Sequence, residues 1–81
     1  MQALYEDATT GQCERVSISR RAAGDGHVVG RSGPIQLRAV ARDNIRGWGE
    51  LDGPCIVAQP EQSRDRLLIP ADTATSLGIT L

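Results

Sequence analysis

The chain has 81 residues and a formal net charge of −1, without the strongly basic balance that nucleic-acid-binding domains carry. A domain of this size buries only about 60–65% of its unfolded surface. No segment approaches the roughly 20 apolar residues of a membrane span, and the opening MQALYEDATT lacks the basic and apolar regions of an export signal, so a cytoplasmic protein is expected.

Val, Ile and Leu supply 18 side chains, Phe is absent, and the large aromatics are Tyr5 and Trp48. The expected core is therefore thin and aliphatic, of the kind that a partner often completes. All nine cationic residues are Arg. That matches the enrichment of Arg and depletion of Lys at protein interfaces, and equally an Arg-rich codon bias.

Gln2 to Glu6 reads as a first strand, and Asp7 to Gly11 carries the small polar residues and Gly of a reversal. Val16 and Ile18 then alternate with Arg15, Ser17 and Ser19, the period of a half-buried strand, which completes a hairpin. Ala22 to Gly26 reads as a loop, His27 to Val29 as a short strand and Gly30 to Pro34 as a turn. Ile35, Leu37 and Ala39 alternate with Gln36 and Arg38, so the first three are expected to share a buried face.

Asp43 to Pro54 is rich in turn residues, yet it holds Ile45, Trp48 and Leu51. Large apolar groups on such a segment are expected to pack on the barrel or on a partner. These three residues are the candidate partner interface. Cys55 to Ala58 and Arg66 to Ile69 read as buried strands, with Gln59 to Ser63 as the turn between them. Asp72 to Gly78 suits either one helical turn, capped by Asp72 and ended at Gly78, or a strand through Thr73 and Thr75. The whole reads as a single mainly β domain over residues 1–81, a small β-sandwich or open β-barrel of about six or seven short strands with at most one helical turn.

The chemistry on offer is narrow. Cys13 and Cys55 are the thiols and His27 the imidazole. A spatial Cys/His pair would make a nucleophile, but neither Cys carries a local activating signature. As metal ligands, Cys13, His27 and Cys55 would need a carboxylate to complete zinc, and they lack the close-spaced pairs of zinc sites. The expectation is that Cys55 is a small core residue and that Cys13 and His27 sit on loops. The Gly-rich stretches at Gly24 to Gly26 and Gly30 to Gly33 lack the Gly-Lys-Ser/Thr of a phosphate loop and read as turns. No catalytic or cofactor-binding residue is assigned.

Glu50-Leu51-Asp52-Gly53-Pro54-Cys55-Ile56-Val57, then Gln59-Pro60-Glu61 and Leu67-Leu68-Ile69-Pro70, resembles the carboxy-terminal region of the hydantoinase A and oxoprolinase family. Ala3 to Asp7 and Val16 to Arg20 resemble the opening hairpin of that region, while Ala22 to Asn44 is additional length. The Trp that follows the family's final prolines and the paired threonines of its next strand have no match. The resemblance implies a small accessory subunit of an ATP-dependent carboxylase or cyclic-amide hydrolase, with larger protein subunits as partners. ATP and a divalent metal would sit on those partners, and neither nucleic acid nor membrane is implied. The alternative is a free-standing β-barrel binding module, since Leu68-Ile69-Pro70 through Leu77-Gly78-Ile79 resembles a stretch of swapped-hairpin transcription factors. A third class is a small metal-dependent enzyme built on Cys13, His27 and Cys55.

Overall fold

The computed structural model describes residues 1–21, 26–45 and 53–81, with 44 and 45 described in their backbone alone. Seven strands and one short helix follow in order: β1 (Gln2–Glu6), β2 (Cys13–Arg20), β3 (His27–Val29), β4 (Pro34–Ile35), β5 (Leu37–Ile45), β6 (Gly53–Pro60), β7 (Arg66–Pro70) and α1 (Ala71–Ser76). All pairings are antiparallel, in the order β4-β3-β2-β1-β7-β6-β5, and the sheet curls into a half-barrel. The expected mainly β, barrel-like architecture is the one observed.

Curvature comes from strands that serve two neighbours. The first part of β2 pairs with β1 and its last three residues, Ile18 to Arg20, pair with β3. The strands at the two ends of the sheet, β4 and β5, are consecutive in the chain with Gln36 alone between them, so the ends of the sheet are drawn toward one rim. Gln36 also accepts the Glu61 N–H at 3.2 Å. The β1–β2 turn forms where the Asp-Ala-Thr-Thr-Gly stretch marks it. Gly11, at φ 74°, donates to the Asp7 carbonyl at 2.8 Å, and the Asp7 carboxylate accepts the Thr9 N–H at 2.8 Å and the Thr10 N–H at 3.2 Å.

The inner face holds the main core. Ala3, Ile18, Val29, Leu67 and Ile69 are buried there with Ile56 and Ala58, and α1 with its following turn covers them through Ala74, Leu77 and Ile79. Ile35, Leu37 and Ala39 pack against this cluster while Gln36 and Arg38 are exposed, as the alternation implies. A smaller cluster of Leu4, Val57 and Leu68 is buried on the outer face. It accounts for the unbroken apolar runs of β6 and β7: strands flanked on both sides carry apolar residues toward both faces.

Several sequence expectations are corrected. Cys13 begins a strand rather than sitting on a loop, and His27, assigned both to a loop and to a short strand over His27 to Val29, begins that strand. Pro34 belongs to β4, and Gln59 and Pro60 extend β6 instead of starting the turn. Asp43 to Ile45 finish β5 and Gly53 and Pro54 start β6, so the segment read as one loop from Asp43 to Pro54 is strand at both ends. Trp48, Leu51 and Ala22 to Asp25 lie outside the described residues, as does the side chain of Ile45.

The tail is helical, but Asp72 does not cap it: Pro70 occupies the cap position, without a side-chain bond, and Asp72 lies in the first turn. The end is as expected at Gly78. There φ is 73°, Gly78 N–H donates to Thr75 O at 3.1 Å, and Ile79 N–H reaches back to Ala74 O at 2.9 Å. This is the paired bonding of a Schellman motif, and the buried Ile79 and Ala74 supply its apolar contact.

Candidate functional site

The three residues with nucleophile or ligand chemistry are held apart. Cys13 lies on the outer face opposite Glu6, its Sγ 4.0 Å from Glu6 Oε2. Glu6 is engaged in turn by Arg66, with Nη2 at 2.6 Å and Nε at 2.8 Å from Oε1. Cys55 lies on β6, three strands from β2 in the sheet order, which corresponds to about 14 Å at the usual strand spacing of ~4.8 Å. It is buried, with Sγ 3.6 Å from Gly53 O. Burial pushes its thiol pKa up, and the nearby Asp43 carboxylate adds to the rise, so the reactive thiolate is disfavoured.

His27 faces inward from β3. Its Nε2 is 3.1 Å from Leu77 O, and because a carbonyl only accepts, Nε2 carries the proton of this bond. His27 Nδ1 is buried without a hydrogen-bond partner among the described residues. The imidazole thus ties β3 to the end of α1, beside Gly78, where the Arg20 guanidinium also lies. Among the described residues no group of three His, Cys, Asp or Glu side chains is arranged to hold a metal ion.

A clasp joins the β1–β2 turn to the β6–β7 turn. Tyr5 Oη donates to Asp65 Oδ2, and Ala8 N–H donates to Asp65 Oδ1 at 2.8 Å. The Ala8 amide, followed by the Tyr5 hydroxyl, holds the Asp65 carboxyl below the usual carboxylate range. The bond to Asp65, with burial and the charges of Asp65 and Asp7, pushes the Tyr5 phenol up to about 12. These groups fix two turns to each other, a structural role.

A different arrangement stands out at the opposite end of β5. The register with β6 shifts between Ala39, opposite Ala58, and Ala41, opposite Val57, which leaves Val40 as an extra residue. A bulge of this kind re-aims the side chains that follow it. Past it, Arg42 lies opposite inward-facing Ile56 instead of pointing outward as unbroken alternation from Leu37 would require. Arg42 lines a cleft of about 290 Å³ with Ile56, Ala71, Thr75 and Ile79. Sequence reading missed this residue. Its one local signal is the run Ala39-Val40-Ala41, where apolar residues follow each other and the period of two fails.

The bulged strand is also the end of the sheet. β5 is nine residues long and pairs with β6 alone, so among the described residues no strand lies along its second edge. It runs into the segment that carries Trp48 and Leu51. No protein-family model, curated protein or solved structure matches this chain.

Proposed function

We propose that the chain is an accessory β-domain that works docked on a larger protein subunit, within an ATP-dependent carboxylase or cyclic-amide hydrolase assembly. The second edge of β5, which no described strand covers, carries this reading. A long unpaired edge presents a row of backbone donors and acceptors, which native proteins usually blunt or cover, and an extended segment of a partner fits it by strand addition. Ile45, at the end of that strand, begins the apolar set Ile45, Trp48 and Leu51, which would extend the same interface.

The choice of assembly rests on the resemblance to the hydantoinase A and oxoprolinase region, and one feature of the topology supports it. The matched stretches fall on β1, β2, β6 and β7, which form the contiguous block β2-β1-β7-β6, while the additional length contributes β3, β4 and β5 at the two ends of the sheet. Such additions at sheet ends leave an inherited core pairing intact. In this reading ATP and its divalent metal belong to the partner, and this chain positions or stabilises that subunit.

The test is to purify the tagged chain at native expression level, measure the mass of the assembly by light scattering and assay it for ATP-dependent turnover. A stoichiometric complex with a larger ATP-hydrolysing chain, released by Val40→Glu, is the expected result. A chain that elutes alone would overturn the accessory role. A stable partner without nucleotide-dependent activity would overturn the choice of assembly.

A further inference from the structure

The cleft beside α1 has a composition that the docking role does not use. Its walls are mostly apolar, from Ile56, Ala71 and Ile79, with Thr75 and Thr80 at the side, and its volume of about 290 Å³ is that of roughly ten water molecules at ~30 Å³ each. Among the described residues one cation, Arg42, lines it. Arg42 makes no hydrogen bond or ion pair with any described residue, whereas the neighbouring Asp43 is engaged on the other face near Cys55. The Thr75 hydroxyl is already committed to Ala71 O at 3.0 Å, so the guanidinium and the Thr80 side chain are the polar groups of the lining that a ligand would meet.

A guanidinium with no partner among the described residues, at the mouth of an apolar cleft, selects for charge at one end of a ligand and hydrocarbon at the other. Its planar fork matches a carboxylate in bidentate geometry, and the apolar walls reward a tail of a few carbons. The β-bulge at Val40 is what turns Arg42 inward, and bulges recur beside functional sites for this reason. We infer that this cleft binds small monocarboxylates with a short apolar tail, the carboxylate held by Arg42 and the tail lying on Ile56 and Ile79. The site shares β5 with the partner-docking edge, but its test reads ligand binding by the isolated chain rather than assembly, so the two readings fail separately.

The isotope-labelled chain is titrated with hexanoate, hexanol and sulfate while amide shifts are followed by NMR. Hexanoate is expected to give saturable shifts at Arg42, Ile56, Thr75 and Ile79 with a dissociation constant in the millimolar range, as befits a ligand of so few atoms. Hexanol, without the charge, and the variant Arg42→Met are each expected to weaken binding about 10-fold or more, the scale of a charge-assisted hydrogen bond. Arg42 is exposed, and an unchanged melting temperature of Arg42→Met would show that the fold is retained. A second variant, Ile79→Val, trims the wall conservatively and is expected to weaken hexanoate binding but not that of acetate. Absence of saturation by about 50 mM hexanoate would overturn the site, since even fragment-sized ligands bind their sites in this range. Equal binding by Arg42→Met, or sulfate binding at Arg42 as tight as hexanoate, would overturn it equally, the last because it would make Arg42 a general anion contact.

Discussion

Leu67 and Leu68 are neighbours on β7 that face opposite sides of the sheet, and replacing each with alanine separates the two hydrophobic clusters energetically. Leu67 is fully buried in the ten-residue inner cluster beneath α1, and Leu68 retains 8% exposure in the outer trio with Leu4 and Val57. Either change removes three carbon atoms, about 2.4 kcal/mol at ~0.8 kcal/mol each. At Leu67 the surrounding side chains come from strands and helix and collapse poorly. A residual cavity of roughly 50 Å³ at ~24 cal/mol per Å³ adds about 1.2 kcal/mol, for a total near 3.6 kcal/mol. At Leu68 the single layer lets neighbours and solvent fill the gap, so the expected cost is about 2–2.5 kcal/mol. A chain of 81 residues has a total stability of about 4–12 kcal/mol, so Leu67→Ala consumes a large part of it and lowers the melting temperature by roughly 15–30 °C. Urea titrations followed by circular dichroism measure both values, provided the denaturant slope is unchanged. A cost for Leu68→Ala equal to or above that of Leu67→Ala would refute the assignment of the main core to the inner face.

Four other predictions concern the Tyr5–Asp65 clasp, the end of α1 and Trp48. The folded chain holds the Tyr5 proton more tightly than the unfolded one, so this contribution to stability is full below the ordinary phenol value near 10 and is lost as pH rises toward about 12; in Asp65→Asn, phenolate absorbance should titrate closer to 10, and an unshifted titration would dissociate the two residues. At the acid end the sign reverses. The lowered Asp65 carboxyl stabilises the fold above its ordinary value near 3.9 and ceases to do so as pH falls through its folded value, a loss that Asp65→Asn should not show in acid melts. Gly78→Ala should cost about 1–2 kcal/mol, because φ is 73° there while a Cβ would meet only ordinary contact with Arg20 at 3.6 Å; a loss below about 0.3 kcal/mol in thermal melts would contradict the strained helix end. Finally, Trp48→Ala should weaken assembly with the partner by about 2–4 kcal/mol and spare the β-fold, whereas tryptophan emission already blue-shifted in the isolated chain and unchanged by the partner would remove Trp48 from the interface.

Local sequence was enough to determine most of the strands. The reversal at Asp7 to Gly11, the alternation of Val16 and Ile18 and the apolar runs at Cys55 and Leu67 are all decided within a few residues, by turn chemistry and the two-residue period of a pleated strand. The end of α1 at Gly78 was legible for the same reason, since a left-handed C-terminal position favours glycine wherever it occurs. The start of that helix was not: Asp72 has the right chemistry for a cap, but the chain leaves β7 at Pro70 and enters the helix at once, so packing of α1 across β6 and β7 decided the boundary.

The candidate site depended on tertiary structure more heavily still. That β1 lies beside β7, some sixty residues away, follows from burial of one shared face and from no local pattern. Cys13, His27 and Cys55 carry no mark of which face they occupy, and only the register of the curled sheet sets two of them outward on separate strands and one inward against α1. The inward turn of Arg42 depends on a single extra residue at Val40 in the register of β5 with β6. Side-chain direction along a strand is a local property until one residue drops out of the ladder. Beyond that point the partner strand, and not the sequence period, decides which face a side chain takes.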